Sequence, residues 1–225
     1  MKKIIIILLI FFSTYSYCQE GSINNREVNR ENLILYGNIS KNTSNDVDGT
    51  PFLYEIPQDA IVEGFNKTYQ MRYNAVNDEI EFIDAGNKYI LFKQKSFGTI
   101  RFIGTNDLFK LVDYKYKNSF KTGYLIEISK TQTITLYKKI NITYHKVVHA
   151  TTSFDREIPA NYSRNDNTYF IQKNQGDIVE LPLNKNKLSE MFPEKKDLIN
   201  EIFKSKNIDL SKSVELQKFI SIFKN

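Results

Sequence analysis

The chain has 225 residues, enough for one substantial domain or two small ones, and 31 basic against 26 acidic residues give a formal net charge of +5. A single cysteine, Cys18, excludes intramolecular disulfides and cysteine-based metal sites. Basic and acidic residues alternate along the chain instead of clustering, which argues against nucleic acid as a partner.

The first 18 residues are typical of an export signal. Lys2 and Lys3 precede an unbroken apolar run from Ile4 to Phe12, and small and polar residues follow it. A transmembrane helix needs about 20 apolar residues. We therefore expect a cleaved signal, no transmembrane span in the mature chain, and a location that is periplasmic, outer-membrane associated or extracellular.

Cys18 marks the predicted end of the signal. Cleavage after it would leave Gln19 as the new N terminus and lower the formal net charge from +5 to about +3, because two lysines are lost. The alternative makes Cys18 a lipid-bearing terminus. Against it, Tyr15 and Tyr17 occupy the places where a lipoprotein signal carries an aliphatic and a small residue.

The residues after the signal predict a short leader followed by many strands. Residues 19–31 are polar and read as a flexible leader, and 40–49 as a polar loop. Aromatic and β-branched runs separated by turn residues predict successive strands joined by hairpins. These runs are Asn32–Ile39, Lys67–Ala75, Glu79–Ile83, Lys88–Lys93, Thr99–Ile103 and Leu108–Lys115.

The central part of the chain predicts a longer pair of strands and then a loop. Gly123–Ile128 and Thr131–Ile142 form the pair, with Lys146–Thr151 as an outer partner. Residues 152–167 contain Pro159, several charges and no periodicity, which predicts a long surface loop. Thr168–Lys173 and Asp177–Leu181 then flank a Gly-containing hairpin turn.

After Pro182 the apolar period changes from two to about 3.6, which predicts helices. Lys185–Phe192 and Glu194–Lys204 are the first two, and an apolar stripe from Leu216 to Phe223 predicts a third. The predicted organisation is a signal peptide (1–18), a leader (19–31), a β-rich domain (32–182) and a helical cap (183–225). The fold class is mainly β (α+β), with an antiparallel meander, a sandwich or a curved sheet closed by short helices.

Short motifs give the chain a family resemblance. Gly49–Leu53, Arg72–Asn74 and Asn77–Phe82, followed by the ending Phe192–Asn225, resemble a pattern of uncharacterised exported β-rich proteins of the Bacteroidota. The resemblance implies an exported, mostly β domain closed by helices. It implies no activity.

Two histidines are the best candidates for metal or acid–base chemistry. His145 and His149 are four residues apart, a spacing that can place two imidazoles on one face. Asp155 or Glu157 from the following loop could complete a metal site or a hydrolase site with them. The other interpretation is two half-exposed strand histidines, and no cofactor is predicted.

Two acidic patterns also invite a functional interpretation. Ser44, Asp46, Asp48, Gly49 and Glu55 fit a calcium-loop register, but position 1 is Ser instead of Asp, so a polar turn explains them better. A second set, Asp78, Glu79 and Glu81, could suggest paired hydrolase carboxylates. Carboxylates on one strand lie side by side instead of across a cleft, so a solvated strand face is expected, with Asp78 bonding to local backbone.

Other chemistry has no convincing motif. The nine glycines are scattered and build no phosphate-binding loop, and no nucleophile elbow occurs. Tyr114, Tyr116, Tyr124 and Tyr137 alternate with lysines and could line a glycan or peptide groove, although aromatic residues at strand spacing are usually core.

The sequence therefore predicts an exported cell-envelope protein that acts by non-catalytic binding or as a structural component, with an envelope protein or a glycan as its partner. The alternative is a hydrolase of envelope or extracellular polymers that uses the histidine cluster. No residue is assigned a catalytic role.

Overall fold

A computed structural model describes residues 47–205, apart from 66 and 153, together with residue 216. The predicted signal, the leader and the strand Asn32–Ile39 lie outside the described residues. So does the predicted terminal helix, except for Leu216, which is helical and fully buried.

The described residues form ten strands followed by two helices. The strands are β1 (Gln58–Val62), β2 (Thr68–Asn74), β3 (Glu79–Asp84), β4 (Asn87–Ile90), β5 (Thr99–Phe102), β6 (Leu108–Tyr116), β7 (Ser119–Lys130), β8 (Ile134–His145), β9 (Asn161–Lys173) and β10 (Ile178–Glu180). The helices are α1 (Lys185–Met191) and α2 (Lys196–Ser205).

The predicted fold class is confirmed, and four details of the strand prediction are wrong. β1 was not predicted, and β7 continues through Lys130 instead of turning there. Lys146–Thr151 contributes only Val148 to a bridge with Ile158. β9 begins at Asn161, inside the predicted loop, because its polar first half is held by pairing with β8 and not by an apolar face that a sequence pattern could report.

All ten strands belong to one mixed sheet that closes partly on itself. Its order is β10-β9-β8-β7-β6-β5-β1-β2-β3-β4, with neighbouring pairs antiparallel. β10 also pairs in parallel with β6, through Ile178 with Tyr114 and Val179 with Lys115. Strands β6 to β10 therefore form a closed ring, and β1 to β5 extend the sheet from one side of it.

Each face of the curled sheet has its own core. One buried side chain from every strand of the ring fills its interior: Tyr114, Leu125, Tyr137, Phe170 and Ile178. Alternate residues of β6 and β7, including Phe109 and Tyr124, point away from the ring into a larger cluster with β1 to β5. Because successive side chains of a strand point to opposite faces, both faces of β6 and β7 carry buried side chains.

The predicted helices cover the outer face of β8 and β9. Asn184 caps α1 by accepting a hydrogen bond from the Lys187 amide at 2.9 Å. Pro193 opens a 3₁₀ turn between the two helices, a position where proline costs no hydrogen bond. Phe192 and Ile199 are fully buried against the sheet, and burial of each side chain stabilises the fold by about 1.5 to 3 kcal/mol.

Candidate functional site

Strands β7 and β8 separate halfway along their length. They pair from Lys130 with Thr135 to Ile126 with Lys138 and not beyond. Among the described strands, the first half of β7 pairs only with β6, and the second half of β8 pairs with β9. β8 runs antiparallel to β7, so the second half of β8 lies at the end of the ring where β7 begins. The β6–β7 hairpin and the β8–β9 hairpin therefore project from that same end.

The carboxylate of Asp78, a residue of the β2–β3 turn, lies between β7 and β8 where the two strands separate. The Tyr124 amide of β7 donates to Asp78 at 3.2 Å, and Lys139 Nζ of β8 donates to Oδ1 at 2.9 Å. Tyr73 Oη donates to Oδ1 at 2.7 Å, and Lys93 Nζ to Oδ2 at 3.1 Å. Asp78 thus supplies the acceptor that a β8 carbonyl would otherwise offer to the Tyr124 amide.

This role differs from the predicted local turn. The side chain that satisfies the turn backbone is Asn74, whose Oδ1 accepts from the amides of Val76 and Asn77 at 3.1 Å. Asp78 adopts a left-handed φ of 57°, which an Asp tolerates and which turns its carboxylate toward β7. The sequence signal for its long-range role was absent, since it depends on residues 46 and 61 positions away.

The Asp78 carboxylate affects the tyrosines around it. Burial raises the pKa of Tyr73 well above its usual value, and the nearby Asp78 charge raises it further. The same two causes raise the pKa of Tyr124 and bring the pKa of Tyr114 to about 12. Tyr124 Oη is buried and has no hydrogen-bond partner among the described residues. All three phenols therefore stay protonated at neutral pH.

The longer projecting hairpin forms an arm, defined here as residues 141–165. Its two strands are held by Asn165 Nδ2, which donates to Thr143 Oγ1 at 2.7 Å, and by the rings of Tyr144 and Tyr162, whose centroids are 5.1 Å apart. Apart from a bridge between Asp48 and Asn161, no strand of the described residues pairs with either edge of the arm. It is a two-stranded ribbon extending from the ring.

The tip of the arm exposes large apolar side chains. Phe154 is 97% exposed, Val148 57% and Ile158 54%. Val148 and Ile158 exchange two backbone hydrogen bonds of 2.9 Å, which pair the two sides of the arm at this level. The sequence prediction missed this surface because it placed Phe154 and Ile158 in a loop and Val148 in an outer strand.

The predicted histidine cluster lies on the same arm but does not converge. His149 Nδ1 contacts Glu157 Oε2 at 3.0 Å, whereas His145 Nε2 contacts Ser163 Oγ at 2.7 Å. Asp155 accepts hydrogen bonds from Thr151 and Thr152 instead, and the Thr151 hydroxyl is the main cause that lowers its pKa. In the described ranges no three His, Cys, Asp or Glu residues stand close enough to share a metal ion.

Two residues of the predicted calcium-loop register lie beside the arm. Asp48 and Gly49, from the calcium-loop register, lie against the base of the arm, where the Tyr162 amide donates to the Asp48 carbonyl at 2.8 Å. Ser44 and Asp46 lie outside the described residues.

The predicted solvated carboxylate face on β3 is wrong for Glu81. This side chain is buried, and Arg72 Nε donates to it at 2.9 Å. The Arg72 guanidinium also lies 3.4 Å from the ring centroid of Phe52. Because both charges are satisfied, the pair is a structural link between β2 and β3 and offers no free carboxylate.

The predicted tyrosine groove is not formed by the tyrosines proposed for it. Tyr114, Tyr124 and Tyr137 are buried, and Tyr116 is half-buried. The other interpretation, that these residues belong to the core, is confirmed for the first three.

Within the described residues, the longest helix is α2, and neither helix is long and apolar enough to span a bilayer. Comparison with family models, with curated proteins and with solved structures gives no match. The resemblance to exported proteins of the Bacteroidota therefore stays a prediction.

Proposed function

We propose that the chain is an exported, non-catalytic binding or structural component of the cell envelope, and that the tip of the arm is its docking element. The observation that carries the proposal is the exposure of Phe154, Val148 and Ile158 on a ribbon beyond the ring. Large apolar side chains left in water close together in the fold are typical of interaction sites, and Val148 and Ile158 face each other across the arm. Export rests on the signal-like residues 1–18.

The alternative of a hydrolase gains no support from the geometry. It requires His145, His149 and an acid in one concave pocket. The two imidazoles bond to different partners on an exposed ribbon, and among the acidic residues that the structure describes only Glu157 contacts one of them.

Site-specific crosslinking in bacterial cells tests the docking element. A photoreactive residue replaces Phe154 in the full-length chain, and a matched variant carries it at Ile56, which is 71% exposed and lies outside the arm. We expect one discrete adduct from position 154 and none from position 56. Equal labelling at both positions, or no adduct at 154, would contradict the proposal.

The mass of the recovered protein tests export separately. A chain that begins at Gln19 in the envelope or the medium is the expected product. A full-length chain that stays in the cytoplasm would contradict export without bearing on the arm.

A further inference from the structure

The shorter projecting hairpin, between β6 and β7, ends in a narrow basic and aromatic tip. The residues Lys115–Lys121 read K-Y-K-N-S-F-K. Lys117 and Asn118 form the turn with φ values of 46° and 63°, the left-handed pair of a tight two-residue hairpin. Tyr116 and Ser119 close the turn, and Lys115 lies opposite Phe120.

Lysines surround this tip on both faces of the ribbon. Lys117 and Lys121 each place Nζ 5.1 Å from the Tyr116 ring centroid, and Lys115 Nζ lies 6.0 Å from that of Phe120. These contacts hold the ammonium groups near the tip while leaving them hydrated.

No carboxylate of the described residues forms an ion pair with Lys115, Lys117 or Lys121. The nearest acid of the hairpin, Asp113, is engaged by Lys95 at 2.6 Å. Continuing the β10–β6 register places Glu180 beside Tyr116, so one acid faces three lysines and the tip keeps an excess of positive charge.

Phe120 adds an apolar group to this charge, since it is 72% exposed. It lies in the second residue pair from the turn, and strands rise by about 3.3 Å per residue. End-on contact would therefore bring Phe120 within the roughly 5 to 10 Å that an interfacial apolar group penetrates between headgroups and acyl chains.

We propose that the β6–β7 tip docks end-on on a phospholipid bilayer that contains anionic lipids. Lipid phosphates complement the three lysines, and the acyl boundary offers Phe120 an apolar medium that a polysaccharide lacks. The proposal goes beyond the docking role of the arm and does not depend on the arm's partner.

Vesicle co-sedimentation of the mature chain, residues 19–225, tests it. We expect binding to vesicles of equal parts phosphatidylcholine and phosphatidylglycerol, little binding to pure phosphatidylcholine, and weaker binding at higher salt. Each Lys→Gln substitution at 115, 117 and 121 should weaken binding about fivefold. Phe120→Ser should weaken it about tenfold.

A matched triple variant, Lys88→Gln, Lys130→Gln and Lys196→Gln, removes the same charge from exposed positions elsewhere. It should bind nearly as the wild type does. Equal losses in the two triple variants, or no preference for phosphatidylglycerol, would overturn the proposal.

Two further outcomes would also overturn it. One is loss of vesicle binding in Phe154→Ser but not in the hairpin triple variant, which would make the arm the lipid contact. The other is binding to dextran sulfate without binding to vesicles, which would identify an anionic polysaccharide as the partner. Circular dichroism of each variant establishes that it is folded.

Discussion

Gly123 of β7 faces the carboxylate of Asp78 so closely that a Cβ added to it would overlap Asp78 Oδ2. The absence of a side chain at position 123 lets the β2–β3 turn reach the Tyr124 amide. The two residues are 45 positions apart in sequence, yet the position of the Asp78 carboxylate requires a residue without a side chain at 123.

We expect Gly123→Ala to destabilise the fold by about 1 to 3 kcal/mol, the usual cost of adding a group to a packed site. Urea unfolding monitored by circular dichroism measures it. Gly104→Ala is the control, because a Cβ there would meet only Gln58 Oε1 at 3.7 Å. An equal effect of the two substitutions would show that Asp78 does not require the glycine.

Asp78→Ala should destabilise the protein by about 3 kcal/mol. It leaves Lys139 without its carboxylate partner, and the Lys139 side chain is only 19% exposed. Asp78→Asn should cost less, because an amide oxygen can still accept from the Tyr124 amide and Asn tolerates the left-handed φ.

Hydrogen exchange gives this substitution a local readout. The Tyr124 amide should exchange much faster in Asp78→Ala than in Asp78→Asn, after both rates are corrected for global stability. Identical protection in both variants would mean that Asp78 does not hold the separation of β7 and β8.

Replacing Tyr73 or Tyr124 by Phe should change the stability of the fold differently. Tyr73→Phe removes the hydroxyl that donates to Asp78 at 2.7 Å and should cost about 1.5 to 3 kcal/mol. Tyr124→Phe removes a buried hydroxyl without a partner among the described residues and should be neutral or stabilising. Thermal unfolding of both variants measures the two changes in stability. A larger loss of stability for Tyr124→Phe than for Tyr73→Phe would contradict the prediction.

Stability should fall above about pH 10, the usual pKa of tyrosine. Burial and the Asp78 charge raise the folded-state pKa of Tyr114 to about 12, so the folded state retains its proton more strongly than the unfolded state does. The contribution is therefore complete below about pH 10 and is lost as the pH rises toward 12.

Tyr114→Phe should flatten the decline between pH 10 and pH 12 by up to about 1.4 kcal/mol per pH unit. Urea unfolding of the wild type and of Tyr114→Phe at stepped pH measures the difference, and parallel curves would contradict the prediction.

The sequence predicted the elements correctly where an apolar period or a turn residue marks them. β2, β3, β5 and β6 alternate clearly, and their predicted segments match within a residue or two. The change of period after Pro182 predicted α1 and α2. The polar start of β9 has no such pattern, since only its pairing with β8 makes it a strand.

The candidate sites were less predictable than the strands. The spacing of His145 and His149 suggested a shared site, but β8 ends at His145, and the two imidazoles contact different partners, Ser163 and Glu157. The basic tip of the β6–β7 hairpin was visible as lysines between aromatic residues. Its exposure was not, because neighbouring tyrosines with the same spacing fill the core.

The sequence by itself determined the β-rich class and the change to helices after Pro182, because these follow from composition and from periods of a few residues. Only the tertiary structure decided that β6 to β10 close into a ring, that Asp78 separates β7 from β8, and which apolar side chains stay in water. These depend on contacts between residues far apart in the chain. A local pattern shows which side chains of a segment could be buried, whereas the pairing of the whole sheet decides which of them are buried.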